Sequence, residues 1–131
     1  MAGTGDATSG ADDYLVRAVS TATFGRVLLS SRSHHVVVDG PVRNGCPGEA
    51  LTPVELFLGG VVACAAELVQ VIARENGVGL AGVEAEMTAA IDRAHRVHSD
   101  VTVFSSATLR FALRGVGDED AAALVEAFKA R

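Results

Sequence analysis

The chain has 131 residues, 49% of them hydrophobic, and a formal net charge of -5 at pH 7. This length and composition suit a single domain with a substantial core. The ten arginines and one lysine are scattered along the chain, so no nucleic-acid partner is predicted. Two cysteines are too few for the disulfide framework of a small secreted protein.

The first residues, Met1–Asp13, are mostly Gly, Ala, Ser, Thr and Asp. They lack the basic and apolar regions of a secretory signal, so we expect a cytoplasmic protein. This composition is also typical of a frayed terminus. We therefore predict a disordered tail over residues 1–13 and one domain over residues 14–131.

Three strands and a loop are predicted next. Short strands are expected at Tyr14–Ser20 and Phe24–Ser30, and the β-prone run Val36–Val38 indicates a third at His34–Asp39. The segment Asp39–Thr52 is rich in Gly, Pro and Asn and has no apolar periodicity, which predicts a long loop. Long loops in compact domains are often functional.

A long helix is predicted over Thr52–Arg74. Its first residue can cap the helix, Pro53 suits the first helical position, and Glu55 lies near the positive end of the helix dipole. Asn76-Gly77 is a typical helix end. The residues between are apolar almost all round, so we expect this helix to be buried among other elements. Its uncharged run is shorter than the ~20 residues of a membrane span, and no membrane partner is predicted.

Two further strands and a helix complete the chain. Alternating apolar and polar residues predict strands at Val83–Asp92 and Val101–Arg114, joined by the polar turn Arg93–Asp100 and forming a hairpin that covers the long helix. Asp118 is predicted to cap a last helix with apolar residues at helical spacing. The order β-β-β-α-β-β-α predicts an α+β fold.

Cys64 lies in the middle of the long helix. A buried free cysteine usually behaves as a small apolar side chain. This one lies about three turns inside the helix, beyond the N-terminal dipole, and the nearby negative charge of Glu67 disfavours a thiolate. A reactive thiolate would therefore need a cation from elsewhere in the fold.

The pattern Thr52-Pro-Val-Glu-Leu-Phe, followed by Gly59, Gly60 and Cys64, resembles the signature of the OsmC/Ohr superfamily of thiol-dependent hydroperoxide-handling proteins. The resemblance extends over nearly the whole chain from Tyr14. It implies an antiparallel sheet wrapped around a buried central helix that bears the peroxidatic cysteine. It also implies a homodimer in which both subunits contribute residues to each thiol site.

The same resemblance assigns roles to three residues. Cys64 is the expected nucleophile, Arg26 the residue that activates it, and Glu55 the residue that positions the arginine or merely caps the helix. Arg26 matches a glycine-arginine turn of the hydroperoxide-resistance branch, although it could equally be a surface arginine at a strand end. Val54 stands where the peroxidase branches have the glutamate that pairs with this arginine.

Other candidate residues carry weaker signals. The resolving cysteine of the peroxidase branches has no counterpart after Cys64, whereas Cys46 forms a Cys-Pro pair in the loop before the helix. Cys46 is either a secondary redox residue or an ordinary loop cysteine. The histidine pairs at 34–35 and 95–98 do not provide three convergent ligands, so neither a metal nor another cofactor is predicted.

The leading expectation is reduction of organic or inorganic hydroperoxides, with the sulfenic acid of Cys64 returned by an external thiol. The alternative is a non-catalytic protein that binds a small apolar ligand at the dimer interface. A thioesterase of the hot-dog type also surrounds a helix with a sheet, but no carboxylate beyond Glu55 favours it. Cys64 is expected to be more buried, and to form a thiolate more readily, than Cys46.

Overall fold

The computed structural model describes residues 10–131. Its elements in chain order are β1 (Arg17–Ser20), β2 (Arg26–Ser31), β3 (His34–Asp39), a short 3-10 helix (Val42–Asn44), α1 (Pro53–Glu75), β4 (Gly82–Ala90), β5 (Ser106–Arg114) and α2 (Asp118–Lys129). This order confirms the predicted α+β class. Of the predicted tail, residues 1–9 lie outside the described residues, and residues 10–13 form neither helix nor strand.

The chain divides into two compact units, one ending at Phe57 and the other spanning Leu58–Arg131. The first unit contains an antiparallel sheet in the order β1-β2-β3. Val19, Leu28 and Val37 are cross-strand neighbours in this sheet, and all three remain partly exposed. The first strand begins at Arg17 rather than at the predicted Tyr14.

The second unit contains a hairpin of β4 and β5 and a core between them and the helices. Leu124 of α2 and three residues of α1 form the buried cluster. Half-buried residues on one face of the hairpin pack against this cluster, as the alternation predicts: Val83, Phe111 and Leu113. The rings of Phe111 and Phe128 meet edge to face, with centroids 5.4 Å apart, an arrangement that aromatic pairs favour.

Boundaries in the second unit also differ from the predictions, at the hairpin loop and at the start of α2. The strand predicted at Val101–Arg114 begins only at Ser106, because the side chain of Asp92 accepts the N–H groups of Ala94 and His95 and turns the chain out of β4. The backbone N–H and hydroxyl of Ser105 both donate to the carbonyl of Ala90 and close this loop. The N-cap of α2 is Gly117, not Asp118, which lies in the first turn.

The helix α1 is apolar but only partly covered. Its buried residues are Ala65, Val69, Ile72 and Ala73, whereas Cys64 is exposed. By length and composition α1 could also cross a membrane, a property that it shares with core helices of globular proteins. The packing of its buried residues against β4, β5 and α2 accounts for part of its apolar surface. The prediction that α1 is buried on all sides is therefore wrong for the single chain.

Truncation of Leu124, a member of the buried cluster, should lower the free energy of unfolding. This side chain is 3% exposed, so Leu124→Ala removes buried methyl groups and leaves a cavity. We expect a loss of about 2–5 kcal/mol in the free energy of unfolding. Urea denaturation measures this loss, and Leu15→Ala is the matched control because Leu15 is 58% exposed. Equal losses in the two variants would contradict the assigned core.

Candidate functional site

The start of α1 is a capping box built by Thr52 and Glu55. The hydroxyl of Thr52 accepts the backbone N–H of Glu55 at 3.4 Å. In return, the Glu55 carboxylate accepts the backbone N–H and the hydroxyl of Thr52, both at 2.9 Å. These hydrogen bonds, the backbone one first, lower the pKa of Glu55. The Ser/Thr-x-x-Glu spacing explains the arrangement, so Glu55 caps the helix.

The main partner of Arg26 is Asp39, thirteen residues away in the chain. Nε of Arg26 donates to Oδ1 of Asp39 at 2.7 Å, and Nη2 donates to Oδ2 at 2.9 Å. The two residues are also paired in the β2–β3 register. Asp39 is fully buried, whereas the Arg26 side chain is 29% exposed. This is the two-point geometry in which a guanidinium binds a carboxylate most strongly.

Asp39 also holds the loop that leads to α1. Its Oδ2 accepts the backbone N–H groups of Glu49 and Ala50, both at 2.9 Å. Its own backbone N–H donates to the carbonyl of Leu51 at 3.0 Å. One buried carboxylate therefore joins β2, β3 and the end of the loop.

Arg26 and Asp39 each stabilise the ionised form of the other. Hydrogen bonding from Arg26 lowers the pKa of Asp39 far below its ordinary value, with the amides of Ala50 and Glu49 acting in the same direction and burial opposing them. The hydrogen bond to Asp39 correspondingly raises the pKa of Arg26. Both groups are therefore ionised at neutral pH.

Glu49 is the second acidic neighbour of Arg26. Its Oε1 lies 3.4 Å from Nη2 of the guanidinium, and its side chain is 77% exposed. Exposed ion pairs of this kind contribute little stability. The carboxylate of Glu49 therefore adds a negative charge beside Arg26 without holding the fold together.

Cys46 lies against the same part of the first unit. Its side chain occupies the space where side chains at Gly25 and Gly40 would stand, and a Cβ atom built at either glycine would overlap its sulfur. The backbone N–H of Gly40 donates to the carbonyl of Gly25 at 2.8 Å and holds the two glycines together. Cys46 is half-buried, so the expectation that Cys64 is the more buried cysteine is wrong for the single chain.

Cys64 belongs to the second unit and is exposed on α1. Glu67 follows it by three residues, and residues at this spacing are neighbours on a helix surface. Glu67, Gln70 and Arg74 line a groove of about 500 Å³ whose other wall is the segment 78–82. The thiol is therefore accessible, and a cavity begins one turn further along its helix.

No group of three or more His, Cys, Asp or Glu side chains within residues 10–131 is arranged to hold a metal ion. His35 instead contacts the hydroxyl of Ser30 through Nδ1 at 2.6 Å. His95 contacts the carboxylate of Asp92. Each of these two histidines thus has a local polar partner.

The first unit brings together Arg26, Asp39, Cys46 and Glu49, and it uses Glu55 in the helix cap. The sequence patterns placed Asp39 at the end of the third predicted strand and assigned it no role in a site. The available signal was a carboxylate at the buried end of a valine-rich strand, because such a position requires a cationic partner.

The Arg26–Asp39 pair should make the stability of the protein depend on pH in the acid range. The folded pKa of Asp39 is depressed, so its stabilisation is present above the unfolded pKa of about 3.9 and is lost as the pH falls below it. We expect Asp39→Asn to be less stable than the wild type at pH 7 and to lose less stability between about pH 4 and pH 2. Urea denaturation at each pH measures both effects.

Asp100→Asn is the matched control for this experiment, because Asp100 is exposed in the loop between β4 and β5. It should keep the wild-type dependence of stability on pH. An Asp39→Asn profile parallel to that of the wild type would show that the pair does not control acid stability.

The sequence matches the OsmC-like protein family over residues 46–131. The matched part includes Cys46, Glu55 and Cys64, whereas Arg26 and Asp39 precede it. A search among curated proteins found no match.

Three similar solved structures show how widely the fold is shared. An OsmC-like protein from Mycoplasma pneumoniae is 12% identical with a TM-score of 0.77, over 92% of this chain and 82% of that one. An organic hydroperoxide resistance protein OsmC from Legionella pneumophila is 19% identical with a TM-score of 0.69, over 88% and 81%. An organic hydroperoxide resistance protein from Vibrio cholerae, with captopril bound in one of its active sites, is 24% identical with a TM-score of 0.59, over 90% and 79%.

At these identities the solved structures establish a common fold, and the sequence match covers more than half of the chain. The element order and the capped helix bearing Cys64 agree with both results. The chain therefore belongs to the OsmC-like protein family.

Proposed function

We propose that this protein reduces hydroperoxides through the thiol of Cys64. The observation that carries the proposal is an exposed thiol on α1, at the position that corresponds to the peroxidatic cysteine in the signature quoted above. Family membership and the names of two similar structures, both named for organic hydroperoxide resistance, support it. Both cysteines are free, which fits a reducing compartment such as the cytoplasm.

The proposed reaction begins with attack of the Cys64 thiolate on the terminal oxygen of the hydroperoxide. A sulfur–oxygen bond forms, the oxygen–oxygen bond breaks, and its electron pair leaves on the other oxygen, which takes up a proton and becomes an alcohol or water. Sulfur loses two electrons and becomes a sulfenic acid. One external thiol then displaces water to form a mixed disulfide, and a second releases the Cys64 thiol and an external disulfide.

Arg26 is the proposed activating cation, and its geometry suits an orienting role. Asp39 binds the edge of the guanidinium formed by Nε and Nη2. A guanidinium has five N–H groups, so Nη1 remains available for a peroxide oxygen or a thiolate. Because Asp39 compensates its charge, Arg26 would act more through directed hydrogen bonds than through net charge.

In a homodimer, a second copy would cover the apolar surface of α1 that remains exposed in the single chain. Apolar side chains on this helix remain exposed in the single chain, among them Val54, Phe57 and Val61. Exposed apolar surface of this kind favours association. We propose that a second copy covers this face, as the family resemblance implies.

The second candidate function is binding of a small apolar ligand without catalysis. The groove of about 500 Å³ beside α1 supports it, because its size falls within the range of small-molecule sites. In this case Cys64, which lies one turn before the first residue that lines the groove, would not react.

Substitution of each cysteine separates these functions. We expect Cys64→Ser to abolish hydroperoxide consumption and to leave the fold intact, since the thiol is exposed and the two side chains differ by one atom. Cys46→Ser should retain the wild-type rate. Rapid-mixing kinetics measure consumption, and mass spectrometry detects the sulfenic acid at Cys64. A wild-type rate equal to that of free cysteine at the same pH would exclude the peroxidase and favour the binding protein.

Glu55 provides a second test of which residues take part in the reaction. Glutamine can replace glutamate in a capping box, so we expect Glu55→Gln to keep both helix stability and the rate of peroxide consumption. Glu55→Ala should lower the thermal midpoint because the backbone N–H of Thr52 loses its acceptor. A large loss of rate in a stable Glu55→Gln protein would instead assign the charge of Glu55 to the reaction.

A further inference from the structure

We propose that Ser30 and His35 form a second reactive site, which accepts an acyl group from small apolar esters and passes it to water. The site lies wholly in the first unit and does not involve Cys64, so it goes beyond the proposed hydroperoxide reduction. Three features of one face of the sheet carry the inference: a serine in contact with a histidine, an arginine beside the serine, and a row of apolar side chains next to them.

The hydroxyl of Ser30 and the ring of His35 are in hydrogen-bonding contact. Oγ of Ser30 lies 2.6 Å from Nδ1 of His35, and the two residues are paired across β2 and β3. Nδ1 accepts the hydroxyl proton when the neutral ring carries its own proton on Nε2. At this distance an imidazole can act as the base for a serine nucleophile.

Arg17 lies on the other side of Ser30. It is the cross-strand partner of Ser30 in β1, and side chains directly opposite each other have Cβ atoms about 5 Å apart. Ser30 is half-buried, whereas Arg17 and His35 are exposed and accessible to a ligand. When Ser30 attacks a carbonyl carbon, negative charge develops on the carbonyl oxygen, and a neighbouring guanidinium stabilises that charge. The serine therefore stands between a base and a cation.

The next row of side chains on the same face is apolar: Val19, Leu28 and Val37. These side chains are 39–47% exposed. They lie on the same face as Ser30 because alternate residues of a strand point to one side of the sheet, and the spacing between such rows is about 7 Å. A short hydrocarbon chain attached to a carbonyl at Ser30 can reach them. The surface thus suits the ester of a small apolar acid.

The proposed reaction has two steps. Oγ of Ser30 attacks the carbonyl carbon and forms a carbon–oxygen bond, while Nδ1 of His35 takes the hydroxyl proton. The bond to the leaving alcohol then breaks, and the alcohol receives that proton. In the second step water attacks the acyl group and gives a proton to Nδ1, after which the acid leaves and Oγ of Ser30 recovers its proton. One water molecule is consumed in each cycle.

The test uses p-nitrophenyl butyrate as the probe. Both cysteines are first alkylated with iodoacetamide, because thiols also react with this ester. We expect release of p-nitrophenol and, after an acid quench, a butyryl group located on Ser30 by peptide mass spectrometry. The ratio of the rates with the butyrate and the acetate ester should exceed the ratio measured with free imidazole, because the apolar row contacts the longer chain.

Three variants test the assigned roles. Ser30→Ala should abolish acylation at this position. His35→Gln should slow the acylation of Ser30 about 100-fold, the lower end of the usual contribution of a general base. Arg17→Gln should slow it as well, with Ser30 still the acylated residue. Thermal midpoints from circular dichroism show whether each variant is folded, and labelling of the wild type tests the site without any substitution.

Ser33→Ala and His95→Gln are the matched controls. Ser33 is exposed in the turn between β2 and β3, and His95 has its own polar contact, with Asp92 in the second unit. Both variants should acylate Ser30 at the wild-type rate.

Three results would overturn the proposal. Ser30 could acquire the butyryl group no faster than Ser33, which would make its contact with His35 purely structural. The group could appear on other residues and not on Ser30. An equal loss of rate in His95→Gln would show that any surface imidazole accounts for the hydrolysis. An unchanged rate in Arg17→Gln would overturn the role of Arg17.

Discussion

The buried carboxylate of Asp39 is the constraint on which the first unit depends. A charge without exposure to water is costly unless hydrogen bonds and an opposite charge compensate it. Here two N–H groups of Arg26 and the backbone N–H groups of Glu49 and Ala50 provide that compensation. Because these donors come from the start of β2 and from the end of the loop, the path of the loop follows from satisfying one side chain. The packing of Cys46 against Gly25 and Gly40 belongs to the same arrangement.

Arg26 has a carboxylate partner although position 54 is a valine. The family resemblance implies a glutamate at that place as the partner of the arginine, whereas the carboxylate bound to Arg26 is that of Asp39, at the end of β3. The glutamate that remains in the motif, Glu55, is occupied by Thr52 in the capping box. Orientation of the arginine and capping of the helix are thus carried out by different residues. The proposed role of Arg26 would use the edge of its guanidinium that Asp39 does not occupy.

The long helix presents the opposite physical problem, since it has more apolar surface than its own chain covers. Its buried residues meet β4, β5 and α2 on one side, and Cys64 lies on a part of the helix that remains exposed. An exposed thiol is accessible to a peroxide or to an external reductant, which a fully buried one is not. The proposed second copy would cover apolar side chains of the same helix, so the assembly would have to leave the thiol accessible.

The sequence alone determined the order of the elements, because turns, caps and the alternation of apolar residues act between near neighbours in the chain. The capping signal at Thr52 and Glu55 and the alternation that begins at Val83 are of this kind. The sequence also identified Cys64 as the candidate nucleophile, through its spacing from the motif that begins at Thr52. Tertiary structure decided that Arg26 binds Asp39 and that Cys64 is more exposed than Cys46. It also decided that β5 starts at Ser106, where side-chain contacts from Asp92 and Ser105 shape the preceding loop. Ion pairing and burial depend on which distant segments of the chain come into contact. Local sequence patterns do not predict those contacts.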